Sequence, residues 1–137
     1  MQNDILIRKL DSLRRCLKRL EEKNPEDWKE IEDDYDLQDI ISINLERAVQ
    51  ISVDIGLQLL SRGDHKPPNT MAEVFSLLAR EGIINDGLAS NLRSAVGFRN
   101  ISVHEYESID WKIVSSILDN NLVDFYLFIE TVLRDVS

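Results

Sequence analysis

Three side chains that can do chemistry stand close together in the chain: Arg99, His104 and Tyr106. They supply a permanent guanidinium charge, an imidazole that titrates near neutral pH, and a phenol. Cleavage of RNA without a metal needs a base for the 2′-hydroxyl, an acid for the leaving 5′-oxygen and a cation for the phosphoryl charge. His104 suits either proton transfer, Arg99 suits the charge, and Asn100 could bind phosphate or orient His104.

The spacing of these residues decides how they can meet. In a continuous helix Arg99 and Tyr106 share a face, whereas His104 points about 140° away from Arg99. Either the helix bends or ends near Ile101 and Val103, or a second subunit brings the two groups together. One histidine per motif also leaves one proton transfer unassigned, and the His104 of a second subunit would supply it.

The pattern Arg-Asn-x-x-x-His-x-Tyr, which covers residues 99–106, resembles the signature of HepT-like HEPN proteins. A Gly-Phe pair precedes it at residues 97–98, and Ile109-Asp110 follows it at the start of the last predicted helix. The order of the predicted helices extends this resemblance over nearly the whole chain. One departure is Ser102, at a position where an aliphatic residue is more usual.

The resemblance implies a small helical bundle that dimerises so that two motifs face one cleft. It also implies a metal-independent endoribonuclease toxin of a type VII-like toxin–antitoxin system, acting on RNA with Arg99 and His104 as catalytic residues and Asn100 in support. Its partner would be a nucleotidyltransferase antitoxin of the MNT kind, which inhibits by transferring AMP to Tyr106. The complex would contain a homodimer or a larger hetero-oligomer, with neither a metal nor a cofactor.

Two rival functions remain open at this point. HEPN domains also serve as non-catalytic partners that present a nucleotide or substrate to a nucleotidyltransferase. A purely structural helical bundle is the third reading, but it has no need of the polar motif. The other histidine, His65, falls in a polar loop, where we expect a solvated turn residue.

Length and composition predict one soluble domain, residues 1–137, in which 43% hydrophobic content can fill a core. The single cysteine, Cys16, excludes an internal disulfide and a multi-cysteine zinc site, so we expect a cytoplasmic protein. No apolar run approaches the roughly 20 residues that span a bilayer, and we expect no membrane association.

The net charge of −9 argues against nucleic-acid binding, but the charge is unevenly distributed. Residues 21–36 hold nine carboxylates and two lysines, and the rest of the chain is nearly balanced. This acidic stretch is a solvated face, attracts a basic antitoxin, or keeps RNA in the cleft. A basic segment precedes it, which is a solvated helix face or a phosphate contact; it comprises Arg8, Lys9, Arg14, Arg15, Lys18 and Arg19.

Apolar periodicity predicts an all-α, up-and-down bundle of about five helices. The first covers about residues 4–22 on a leucine stripe, and a connector with one short helical turn follows. A long central helix starts at an Asp36 cap and ends at Gly63. Its apolar arc is wide, because it also includes Ile43, Val49, Ile51 and Val53, and burial against a second subunit is one explanation. A loop covers 62–69, and a capping box at Thr70 and Glu73 starts a helix to about 81. Another begins near 85, and one final helix, capped by Asp110, reaches about 132.

Overall fold

The computed structural model describes residues 2–64 and 66–136. In this part of the chain the regular structure is helical, with seven α-helices and a short 3₁₀ turn, and no strand occurs. The all-α fold predicted from the sequence is confirmed. The helices are α1 (Gln2–Lys23), α2 (Lys29–Glu32), α3 (Tyr35–Leu60), α4 (Met71–Arg80), α5 (Asp86–His104), α6 (Trp111–Asn120) and α7 (Leu122–Val136), with the 3₁₀ turn at Tyr106–Ser108. None of the described helices is long and apolar enough to cross a membrane.

The leucine stripe of α1 lies against α3, as the periodicity predicts. All five leucines have no exposed surface, and burying one such side chain contributes about 1.5–3 kcal/mol. The stripe therefore anchors α1 to the central helix; it consists of Leu6, Leu10, Leu13, Leu17 and Leu20.

The central helix α3 begins slightly earlier than predicted. Asp34, rather than Asp36, is its N-cap, with an extended backbone and a carboxylate that accepts a hydrogen bond of 3.1 Å from the Leu37 N–H. Asp36 lies in the first turn, where its negative charge is favourable near the helix N-terminus. At its C-terminal end the helix stops at Leu60, before the predicted Gly63. The Gly63 N–H donates to the Leu60 carbonyl in a turn that follows the helix.

The wide apolar arc of α3 is mostly explained within one chain. Val49 and Val53 are each 3% exposed because α1, α4, α5 and α7 all contact this helix. A second subunit is therefore not needed to bury these two residues. Ile43, 47% exposed, and the half-buried Ile51 are the members of the arc that stay accessible.

Local sequence signals fix helix α4. The Thr70 hydroxyl accepts from the Glu73 N–H at 3.1 Å, while the Glu73 carboxylate accepts from Asn69 rather than from Thr70. The capping box is thus half formed. At Gly56 of α3, an added Cβ would lie 2.5 Å from a methyl of Val74, so the close approach of α3 and α4 requires glycine there.

The predicted final helix is divided into α6 and α7. The Asp124 N–H donates to the carbonyl of Asn121, three residues earlier, whereas an α-helical N–H bonds four residues back. The Asp124 carboxylate, 7% exposed, accepts from the side-chain amides of Asn91 and Asn121. A buried carboxylate needs such partners, and satisfying this one places the break between the two helices.

Candidate functional site

Helix α5 carries most of the motif and does not end early. Its N-terminus is capped by Asn85, whose side chain accepts from the Leu88 N–H at 2.8 Å. The helix then continues through Ile101 and Val103 to His104. The helix thus ends one residue beyond Val103, close to the predicted point, but this end comes after His104 and so does not turn His104 toward Arg99.

Arg99 and His104 therefore leave one continuous helix in directions about 140° apart. The structure does not bring these two groups together within one subunit. The other alternative of the sequence analysis, contact through a second subunit, stays a prediction.

Arg99 lies half-buried on α5. One guanidinium nitrogen, Nη1, donates to the side-chain oxygen of Asn100 at 3.2 Å. The Nε atom is buried and finds no acceptor among the described residues. Because an unpaired buried donor costs about 1–3 kcal/mol, this N–H is available for an anionic acceptor. The role expected for Asn100, binding phosphate or orienting His104, stays a prediction, and the observed contact of its side chain is with Arg99.

His104 is the last residue of α5, and its imidazole is exposed. No described residue forms a hydrogen bond or ion pair with it. Ile101 and Val103, close to it in sequence, are 39% and 42% exposed. The imidazole is thus accessible to solvent, and it lies beside apolar surface that is also open to solvent. The other histidine, His65, lies outside the described residues.

A tight chain reversal places Tyr106 beside the central helix. Glu105 ends α5 by donating its N–H to the Ile101 carbonyl at 2.8 Å. The 3₁₀ turn that starts at Tyr106 follows, and the buried Ile109 fixes its far end. Asp110 then caps α6, as predicted, by accepting from the Lys112 N–H at 3.0 Å.

The Tyr106 phenol is held by a carboxylate of α3 and by an aromatic ring of α6. Its hydroxyl donates to Asp39 at 3.1 Å, and its ring meets Trp111 edge-on with centroids 6.0 Å apart. The side chain is 38% exposed, so it remains reachable from solvent. These two contacts fix the orientation of the phenol at the mouth of the site.

Burial raises the pKa of Tyr106, and it is the largest cause of the shift. The Ser42 hydroxyl makes no well-formed hydrogen bond to any described residue but lies close enough to the phenol to oppose this rise in pKa. The hydrogen bond to Asp39 and the charges of Asp39 and Glu46 raise the pKa further. The phenol is therefore neutral at physiological pH, with a carboxylate positioned to accept its proton.

A second polar contact ties α5 to α3. Ser102 is 3% exposed, and its hydroxyl donates to the Glu46 carboxylate at 3.0 Å. An aliphatic residue would leave that carboxylate without this donor, which explains the serine at this position.

Sequence reasoning missed the contribution of α3 to the site. Asp39, Ser42 and Glu46 stand at steps of three and four, so they share one face of that helix. Polar residues at that spacing inside an otherwise apolar helix were the available signal. Their partners are 56 and 67 residues away in the chain, which the sequence alone did not reveal.

Comparison with known proteins gives a consistent result. The family model described as "Ribonuclease HepT-like" matches residues 10–132. The mRNA nuclease HepT of Shewanella oneidensis is 33% identical over 130 residues, which cover 95% of this chain and 97% of that protein.

Two solved structures are similar over nearly their whole length. A toxin–antitoxin complex with AMP-PNP has a TM-score of 0.90 at 31% identity, covering 96% of this chain and 98% of the other. A tri-AMPylated Shewanella oneidensis HEPN toxin in complex with MNT antitoxin has a TM-score of 0.89 at 32% identity, with the same coverage. The prediction of a nuclease of the toxin–antitoxin class is confirmed at the level of the family: this chain belongs to the HepT-like ribonucleases.

Proposed function

We propose that this chain, as a single domain of residues 1–137, is a metal-independent endoribonuclease toxin whose site is formed by two copies of the motif. The observation that carries the proposal is the divergence of Arg99 and His104 on one continuous helix. Arg99 keeps a buried N–H unpaired, and His104 stands in solvent. One subunit thus offers cation and imidazole in different directions, and a second copy supplies the group that each lacks.

In the proposed reaction the 2′-hydroxyl of RNA attacks the adjacent phosphorus. The bond from phosphorus to the 5′-oxygen breaks, and a 2′,3′-cyclic phosphate forms. One His104 takes the hydroxyl proton, and the His104 of the second subunit gives a proton to the leaving oxygen. Arg99 donates to the phosphoryl oxygens, where negative charge grows in the transition state. Asn100 supports the reaction by holding the Arg99 guanidinium.

The apolar surface next to His104 supports a homodimer. Burying Ile101 and Val103 against a second copy removes apolar area from water, which contributes about 25 cal/mol per Å². In a two-fold dimer the same patch meets itself, so both copies of His104 approach one axis.

The partner in this proposal is an MNT-type nucleotidyltransferase antitoxin, in a complex with the homodimer or a larger hetero-oligomer. Two relatives support it, since one is a toxin–antitoxin with AMP-PNP and the other is an AMPylated toxin bound to an MNT antitoxin. We place the pair in the cytoplasm, where a single buried thiol, Cys16, stays reduced.

Tyr106 is the proposed acceptor of AMP. Its phenol oxygen attacks the α-phosphorus of ATP, the bond to the β-phosphate oxygen breaks, and pyrophosphate leaves. The proton passes to Asp39, the carboxylate that already accepts the phenol hydrogen bond. The attached AMP places bulk and negative charge where a substrate phosphate must lie, so cleavage stops by occlusion and repulsion.

The nuclease proposal is tested with purified protein and bulk RNA in the presence of a chelator. We expect cleavage that Arg99→Ala lowers by about 10²–10³-fold, the effect of removing a donor to a developing oxyanion. Cleavage that disappears with the chelator, or that survives Arg99→Ala, would overturn the proposal. Toxicity on expression provides the same comparison in cells.

The AMP transfer is tested by intact mass after co-expression with an MNT-type nucleotidyltransferase. We expect the mass to rise by one or more AMP units in the wild type and to stay unchanged in Tyr106→Phe. Tyr35→Phe, which alters a tyrosine that is 80% exposed and outside the motif, is the matched control and should be modified as the wild type is. An unmodified wild type, or a modified Tyr106→Phe, would count against this part of the proposal.

A further inference from the structure

A groove of about 540 Å³ lies between α1 and α3, away from the Tyr106 contacts. Both guanidinium groups and aliphatic side chains line its walls. None of these side chains takes part in the proposed reaction. The groove is lined chiefly by Arg15, Arg19, Cys16, Ile40, Ile43 and Arg47.

The arginines of this groove are exposed and unneutralised. Arg15, Arg19 and Arg47 form no ion pair with any described carboxylate, although Arg15 donates to the Ser12 hydroxyl at 3.1 Å. In contrast, Arg14 on another face of α1 pairs with a carboxylate at 3.0 Å. Arg15 and Arg47 line the same groove as Cys16, and both guanidinium charges act on that thiol.

This concentration of positive charge stands out in a chain whose net charge is −9. Nine carboxylates and two lysines in residues 21–36 account for most of this net charge, and none of the groove-lining residues is acidic. Unpaired guanidiniums in a groove favour a polyanion, since their forked donors bind phosphate with two hydrogen bonds.

The groove lies next to the candidate site on the same helix. Glu46 contacts Ser102, and Arg47 is the next residue of α3, so the two are at the same height and about 100° apart around the helix. Since a helix with side chains is about 10–12 Å across, a strand leaving the site reaches the groove within a few nucleotides.

We propose that the α1–α3 groove binds the phosphodiester backbone of single-stranded RNA beyond the scissile bond. The proposal rests on the ribonuclease function proposed above and extends it to where the substrate strand lies. Arg15, Arg19 and Arg47 bind successive phosphates, while Ile40 and Ile43 contact sugars or bases without selecting a sequence. The groove accordingly supplies affinity, and the motif supplies the chemistry.

Two other occupants fit the observations less well. A two-fold contact with a second copy would bring the same three arginines against one another, which is repulsive without added carboxylates. An acidic face of the antitoxin would neutralise the three arginines. It would, however, leave this strongly acidic chain without a basic surface along which the RNA could bind. Both occupants are outcomes of the experiment that follows.

The test measures binding of a fluorescent single-stranded RNA at several salt concentrations, in a His104→Ala background that prevents cleavage. Arg15→Gln, Arg19→Gln and Arg47→Gln are combined in one variant. For three lost phosphate contacts we expect weaker binding and a log Kd versus log salt slope that is shallower by about 2. In the His104 wild-type background the same variant should raise KM for long RNA and leave kcat nearly unchanged.

Two matched variants make the result specific. Removing three cations elsewhere, with Arg14→Gln, Lys18→Gln and Arg80→Gln, should leave the slope close to that of the background protein. Replacing the groove arginines by lysine keeps the charge and should restore most of the slope, which also shows that the altered groove folds.

The proposal is overturned if the groove variant keeps the RNA affinity and the salt slope. It is also overturned if the variant instead loses the antitoxin in a co-purification, or changes the oligomeric state in gel filtration, with RNA binding intact. In each of these outcomes the protein would still cleave RNA. Failure of the proposed function is distinct, because the protein with an unaltered groove would then cut no RNA at all.

Discussion

The leucine face of α1 and the C-terminal end of α5 belong to helices of similar length, but the side chains of the first are fully packed and those of the second are not. On α1 each leucine of the stripe is fully buried against α3, so this face requires no further packing partner. At the end of α5, neither His104 nor the buried Nε–H of Arg99 has a hydrogen-bond partner among the described residues. The first region stabilises the fold, whereas we propose that the second binds a substrate and a second copy.

The sharpest way to separate the two regions is His104→Ala. The loss of a proton-transfer group should lower RNA cleavage by about 10²–10⁴-fold, while the exposed position leaves the thermal midpoint close to the wild-type value. Cleavage is followed on bulk RNA and unfolding by circular dichroism. His65→Ala removes the other histidine and should keep the wild-type rate. Equal losses from both variants would break the assignment.

Leu13→Ala should show the reverse pattern. Truncating a leucine with no exposed surface leaves a cavity that costs about 2–5 kcal/mol of unfolding free energy. Ile7→Ala, on the same helix but 47% exposed, should change the stability by less than about 0.5 kcal/mol. Urea denaturation measures both. Similar values for the two variants would mean that the stripe does not anchor α1.

Ser102→Ala examines the contact between the end of α5 and the central helix α3, and it should have a smaller effect. It removes the 3.0 Å hydrogen bond to Glu46, and the net loss should be about 0.5–1.5 kcal/mol of unfolding free energy. Ser94→Ala on the exposed side of α5, where the hydroxyl bonds to its own helix, is the control. A more stable Ser102→Ala protein would show that an aliphatic residue suits this position better.

Asp39→Asn should give the smallest change, confined to one phenol. The carboxylate raises the pKa of Tyr106 by its hydrogen bond and its charge, so the neutral amide should lower that pKa relative to the wild type. Because the folded-state pKa is raised, the associated stability is present below the unfolded value and is lost as the pH rises through the folded one. Absorbance titration at alkaline pH, with Tyr106→Phe to identify the signal, measures the shift. An unchanged or higher pKa in Asp39→Asn would contradict this account.

The same contrast explains what the sequence could predict. The stripe of α1 and the caps at Asn85 and Asp110 depend on neighbours within a few residues, so periodicity and side-chain chemistry identify them. The break at Asn121 escaped prediction because it depends on Asp124 and its amide partner Asn91, which lies 33 residues from Asp124. Local pattern cannot report such a pairing.

The candidate site shows the same difference between local and long-range signals. Arg99, Asn100, His104 and Tyr106 were identified from their types and spacing in one segment. Their partners on α3 were missed because the chain between Asp39 and Tyr106 spans 67 residues.

One measurement tests directly whether two motifs form one site. Heterodimers with one wild-type and one His104→Ala subunit are isolated with two different affinity tags, and their RNA cleavage is compared with that of both homodimers. Since each turnover needs both imidazoles, we predict activity near that of the His104→Ala homodimer. Activity of about half the wild-type value, as expected for two independent sites in a two-fold dimer, would contradict the account.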